Sequence, residues 1–386
     1  MVSRFQSSYL VRKQLNKFIF SVTFLILSVS ACTSKQHEAI QENSLSKTGN
    51  DFAVSFEIRD SGAVSIIDIF NPWQGATNAK LTYLFSDSLS AKNIIHVPVN
   101  KIVCFSSSHV AYLSALEMQQ RIAGISGLRF ISDSVVMQMK HDHLVTEVGY
   151  EDNINYDFFI QNKPDLALVY GVGEEHARFV TRLQDLGIPV MYISDYLEYH
   201  PLGRLEWIKV FGVLMDCRQK ADSIYNVRKA SYMAVKSEAI NKTSRPLVFS
   251  GSPVGDVWYV PGGKSYMSVF IQDAGGTYIY ADNESKESIP YSFEKAFQGL
   301  SSADIWLNCD LATSLPALSE RDERYTRIHP FIADNIYNNA AKLNEAGGND
   351  FWESAVVNPD RVLNDLVRIF FQGNDRKQSY YYFQKL

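Results

Sequence analysis

The 386-residue chain lacks the signatures of the common hydrolases and nucleotide enzymes. No His-Glu-x-x-His run occurs, and Ser250-Gly251-Ser252 falls short of a Gly-x-Ser-x-Gly elbow. Gly171-Val172-Gly173-Glu174-Glu175 lacks the third glycine of a dinucleotide fingerprint. With no nucleophile or metal set beside a positioned acid or base, the sequence reads as a non-enzyme. Basic blocks are missing beyond the first 17 residues and the formal charge is −5, which argues against nucleic acid as a partner. Cysteine is scarce, with four residues and no Cys-x-x-Cys pair. Cys104 and Cys309 lie in apolar strand-like runs, so buried free thiols are expected, with one disulfide left open. His141 and His143, near Asp142 and Glu147, and His109, His176 and His200 elsewhere, permit a bare-metal reading. Their spacing is not a metal motif, and a polar loop after Met139 accounts for them.

Nor is there an apolar run long enough to span a bilayer. The stretch from Phe18 to Val29 has about twelve residues against the roughly twenty required. It follows Arg4, Arg12, Lys13 and Lys17 and ends in Ser30-Ala31-Cys32, the layout of a bacterial lipoprotein signal. Cleavage is therefore expected after residue 31, leaving a lipid-carrying Cys32, with a retained N-terminal anchor as the alternative. The polar stretch over residues 32–50 is expected to be a flexible tether. The expected location is the bacterial envelope, lipid-anchored and on the periplasmic side.

The remaining length suits two α/β lobes. Residues 51–100 read as a small antiparallel β extension lying against the first lobe, with strands near 52–60, 63–70 and 81–85. Ile102-Val103-Cys104-Phe105 then opens an alternation of strands and helices that continues to residue 202, the pattern of a parallel sheet covered on both faces. The proline-free segment 203–243 predicts one long helix, bent near Gly212, between the lobes. A second α/β series runs over 244–386, closing with an amphipathic helix from Pro359 to Phe371. The expected fold is an α/β clamshell, two lobes with mostly parallel sheets joined by one long helix, with ligand between them. A bundle-like or single-sheet enzyme is the competing architecture.

The stretches KIVCFSSSHVAYLSALEMQQRIAGIS and INYDFFIQNKPDLALV resemble those of the substrate-binding proteins of ABC importers for iron-siderophores, haem and cobalamin. So do WYVPGGKSYMSVFIQDAGGTYIY, IPYSFEKAFQGLSSADIWLN and FWESAVVNPDRVLNDLVRIF. The resemblance runs from Lys101 to the end and leaves the segment before residue 100 outside. It implies a monomeric receptor with no intrinsic cofactor, whose transported ligand is a metal chelate. An iron-siderophore is the first expectation, with a corrinoid or haem as alternatives of the same family. A free-metal receptor and a non-transport surface-binding lipoprotein are more distant readings. The implied partner is an ABC permease dimer with its ATPase subunits. In this family two glutamates dock on the permease: Glu294 matches the second position, while Asp157 stands at the first. Both fall in the first turn of a predicted helix, with Asn155 and Ser292 as caps.

Within that frame, Trp258 and Tyr259, ahead of the turn Val260-Pro261-Gly262-Gly263-Lys264-Ser265, are expected to offer aromatic faces to a bulky ligand. Core packing is the alternative for Trp258. Lys264 could face an anionic ligand and Ser265 could cap the next helix. Ser107, Ser108 and His109 occupy the first-lobe strand-to-helix connection, where free amides attract an anion or carbonyl. Tyr170 ends the next strand, and Arg129 could pair with a carboxylate or phosphate.

Overall fold

The computed structural model describes residues 46–150, 153–173, 176–309, 312–372 and 379–386. Cys32 and the cleavage site lie outside them. Among the described residues no helix is long and apolar enough to cross a membrane.

The first lobe is built on five parallel strands in the spatial order Val190–Tyr192, Leu166–Val169, Ile102–Cys104, Ile122–Ile125, Thr146–Glu147. Ile102, Val103 and Cys104 are all buried, as expected of a central strand covered on both faces. The second lobe orders its strands Thr277–Tyr278, Leu247–Ser250, Ile305–Leu307, Ile336–Asn338, Gln384–Lys385; the last pairs antiparallel and the others are parallel. In each sheet successive connections reverse direction beside the lobe's first strand. Such a reversal opens a crevice at the carboxyl ends of the strands.

The extension differs from expectation in three respects. It has five strands, Ser46–Thr48, Phe56–Ser61, Val64–Phe70, Lys80–Ser86 and Ile94–His96, and the last two pair in parallel. Its first strand comes from the expected tether, whose final residues pair with Ile58, Arg59 and Asp60. It also shares a core with the first lobe and the linking helices: Phe56, Ile58, Ile67 and Ile69 are buried, and the Phe56 ring meets Trp207 edge-on at 4.9 Å. Alternation puts Asp68 on the other face, where it accepts from Thr82 at 2.6 Å and pairs with Lys80 at 3.0 Å and with Arg59.

Two carboxylates bind the segment before this sheet. Glu206, fully buried, accepts from the backbone amides of Asp51, Phe52 and Ala53, each at 2.9 Å. Glu198 accepts from the amides of Val54 and Ser55, the Ser55 hydroxyl and Trp207 Nε1. Short of a sheet ladder, the buried amides among them, those of Ala53 and Ser55, would otherwise be donors without acceptors.

The single linking helix is corrected to three: Pro201–Glu206, Ile208–Leu214 and Arg218–Ile240. The chain turns at Met215-Asp216-Cys217, where Asp216 adopts φ +51°, and the last two helices pack against each other. Gly212 is required by that packing, since a Cβ there would lie 2.7 Å from the Ala221 methyl. Proline-free amphipathic sequence suits one helix or two antiparallel ones equally, so a single left-handed residue decides between them.

Candidate functional site

A cleft of about 780 Å³ opens where the carboxyl ends of the two sheets face each other. Its second-lobe floor is Ser250, Asn308, Asn338 and Asn339, each at or just after the end of a parallel strand. Asn308 donates to the Ser250 hydroxyl at 3.3 Å, and buried Asn338 donates to the Ala312 carbonyl at 3.3 Å. One side is formed by Val257–Val260, the middle strand of a three-stranded antiparallel sheet absent from the sequence reading. Alternation along this strand decides the fate of its aromatic pair: Tyr259 is 46% exposed and lines the cleft, whereas Trp258 is 1% exposed. The expectation that Trp258 contacts ligand is corrected, because its ring packs among Phe249, Trp306 and Tyr325 in the second-lobe core. The following turn needs its glycines, since a Cβ on Gly262 would come within 2.3 Å of the Ser285 carbonyl. Ser265 then caps the helix Tyr266–Asp273 by accepting from the Ser268 amide.

Trp352, 56% exposed on the edge of the cleft, is an aromatic face that sequence reasoning missed. Across from it stand Tyr196, Leu197 and Val172 of the first lobe. Tyr170 is half-buried and meets the Tyr196 ring edge-on at 6.2 Å, supporting the lining rather than forming it. Tyr196 donates its hydroxyl hydrogen to the Gly171 carbonyl, and burial pushes its pKa up.

Several further expectations are corrected. His109 is fully buried, and desolvation pushes its pKa down to about 3, so it is a neutral core side chain. Ser106 is the helix cap, accepting from the Ser108 amide; the Ser108 hydroxyl is buried and donates to Asp195 at 3.3 Å, which pairs with Arg204 at 3.2 Å. Ser107 donates to the Trp352 carbonyl at 3.1 Å, a contact between lobes. Arg129 is exposed with its guanidinium over Phe130, and Lys264 lies 3.7 Å from Glu284; neither lines the cleft. His141 is surface-exposed and hydrogen-bonded to Asp142, and among the described residues no three His, Cys, Asp or Glu side chains are arranged to hold a metal ion. Cys104 and Cys309, by contrast, are the buried free thiols that were expected, burial pushing the latter up to about 12.

Asp157 and Glu294 are both exposed, one on each lobe, in the first turns of the helices Tyr156–Asn162 and Phe293–Ser302. Asn155 and Ser292 cap them as expected, accepting from Phe158 and Lys295 amides. The Glu294 backbone amide and the Ser292 hydroxyl hold its carboxyl below the usual range.

A second cavity, of about 860 Å³, is lined by helix residues such as Ala111, Met137, Ile224 and Val357 rather than strand ends. At its edge Glu353 of the second lobe accepts from first-lobe amides, Ser132 at 2.6 Å and Asp133 at 3.0 Å. Burial, aided by the Asp350 and Asp133 charges and opposed by these amides, pushes its carboxyl up to about 7 from 4.5. A raised acid pKa means the associated stability is fully present below about pH 4.5 and lost as pH rises through 7. Glu353→Gln, which cannot ionise, should therefore gain on wild type by up to ~3 kcal/mol between pH 4.5 and 8. Urea denaturation at both pH values checks this, and a pH-independent difference would reject it.

Two mostly parallel α/β sheets facing one another across a ligand-sized cleft, joined by helices, define a two-lobed solute-binding protein. Residues 102–314 match the periplasmic binding protein family, and the chain belongs to it. It is 23% identical over 304 residues to an uncharacterized lipoprotein of Methanocaldococcus jannaschii, covering 76% of this chain and 70% of that one. Among solved structures it is similar to a periplasmic heme-binding protein from Pseudomonas aeruginosa, with TM-score 0.55 and 16% identity over 74% of this chain and 97% of that one. It is also similar to an ABC-type Fe3+-hydroxamate transport protein from Saccharomonospora viridis, with TM-score 0.51 and 18% identity over 70% and 93% of the two chains. At these identities the structural likeness speaks for the fold.

Proposed function

We propose that this protein is the capture component of an ABC importer, taking a bulky metal chelate into the cleft and delivering it to an inner-membrane permease. An iron-siderophore is the first choice of cargo, with a corrinoid or haem next. The observation that carries this reading is the cleft itself: its size suits a large ligand, and Tyr259 and Trp352 expose broad faces into it. Asp157 and Glu294 form the acidic docking pair, and lipid on Cys32 holds the monomer at the periplasmic side of the membrane. Calorimetry against ferric siderophores, cyanocobalamin and hemin tests capture. One of them is expected to bind at one site, and Tyr259→Ala to weaken it about tenfold with the unfolding midpoint unchanged. Absence of binding by every chelate would overturn the proposal.

A further inference from the structure

The family match begins at residue 102, yet part of the cleft wall comes from upstream of it. The connection Asn71-Pro72-Trp73-Gln74-Gly75-Ala76, between the strands Val64–Phe70 and Lys80–Ser86, lines the same cavity as Tyr259 and Asn308. It is fixed in place. The Pro72 carbonyl accepts from the buried Ser194 hydroxyl at 2.8 Å, and the Gln74 amide donates to the Gly171 carbonyl at 2.9 Å. Trp73 sits 5.8 Å from the His176 ring and 5.5 Å from the Tyr192 ring, so close to Gly171 that a Cβ there would fall 2.4 Å from its own. Opposite, Gln74 Nε2 donates to Glu287 Oε2 of the second lobe at 2.8 Å, so the connection spans the cleft mouth.

The chemistry of the wall is unusual in its charge. Asn71 and Gln74 join Asn308, Asn338, Asn339 and Asn349 around the cavity. Among the described lining residues there is no arginine and one lysine, Lys286, whose ammonium lies 4.6 Å from the Tyr199 ring centre. The two lining carboxylates are engaged, Glu198 by backbone amides and Glu287 by Gln74. Carboxamides offer a donor and an acceptor each and no net charge. A polyanion entering this cavity would lose hydration without meeting cations, whereas a neutral carbonyl- or amide-bearing surface can be satisfied group by group.

Resting on the capture reading above, we infer that the Asn71–Ala76 connection is a third wall of the binding site. With it, the cleft selects chelates whose periphery is uncharged and rich in carbonyl and amide groups. The test is calorimetry on the full mature protein with four probes. Ferrichrome and cyanocobalamin carry neutral, amide-rich exteriors; ferric enterobactin is a trianion and hemin carries two carboxylates. At least one neutral probe should bind more tightly than either anionic one. Gln74→Ala should weaken that probe about five- to tenfold. Ala76→Glu, which adds a carboxylate to the wall, should weaken it further, both variants keeping the wild-type unfolding midpoint. Tighter binding of enterobactin or hemin, or unchanged affinity in both variants, overturns this inference and leaves the capture reading standing. Failure of wild type to bind any of the four overturns the capture reading and this inference with it.

Discussion

Glu206→Ala is expected to lower the free energy of unfolding by about 3–5 kcal/mol. Three backbone amides, those of Asp51, Phe52 and Ala53, would lose their acceptor, and Lys209, 2.6 Å away, would lose its counter-charge. Alanine returns none of those bonds and leaves the buried Ala53 amide and the partly buried Phe52 amide without that acceptor. Glu206→Gln retains one acceptor oxygen but turns an amide toward amides, so an intermediate loss is expected. Urea unfolding followed by tryptophan fluorescence reports the difference. A Glu206→Ala unfolding free energy within about 1 kcal/mol of wild type would show that the segment is held by its apolar residues alone.

The largest functional effect is expected from charge reversal outside the cleft. Asp157→Arg with Glu294→Arg should cut chelate uptake by cells at least about tenfold, because like charges across a docking surface are strongly unfavourable. Both side chains are exposed and neither lines the cleft, so calorimetric affinity for the chelate should stay within about twofold of wild type. Aspartate at the first position is one methylene shorter than the glutamate the family uses. Asp157→Arg alone should therefore cost less than Glu294→Arg alone. Wild-type uptake by the double variant at normal protein levels would remove both residues from the handover surface.

Much of the fold was legible because its elements are locally determined. The Pro359–Phe371 helix is observed with the expected ends, its proline at the first position and its buried stripe of Val362, Leu363, Leu366 and Ile369 at helical spacing. The Asn155 and Ser292 caps were readable for the same reason. The site was less legible, since its membership depends on which way a residue faces after folding. Trp258 and Tyr259 are neighbours of similar chemistry, and only strand pairing, with Trp258 opposite Tyr291, puts one in the core and the other in the cleft. His109 sits two residues into a helix start, yet it faces the core instead of the opening. Arg129 is on a single 3-10 turn and Lys264 on a loop, and the positions of such short segments follow contacts distant in sequence, such as Asn344 donating to the Arg129 carbonyl. The asparagines of the cleft carry no periodic signal: Asn308 and Asn338 stand at the ends of two different strands, Asn349 caps a helix and Asn71 follows a strand of the N-terminal extension.

The grip on Asp51 bears on how force enters the molecule. Besides its amide bond to Glu206, Asp51 accepts from the Tyr225 hydroxyl at 3.1 Å and pairs with Lys229 at 2.6 Å, both on the helix Arg218–Ile240. The chain leading in from the N-terminal side is thus moored to the helices between the lobes. A pull at that point is taken up by the helices that carry Glu206, Tyr225 and Lys229 rather than by either sheet. Force arriving along the leading segment would therefore reach those helices before it reached the strand ends that line the cleft.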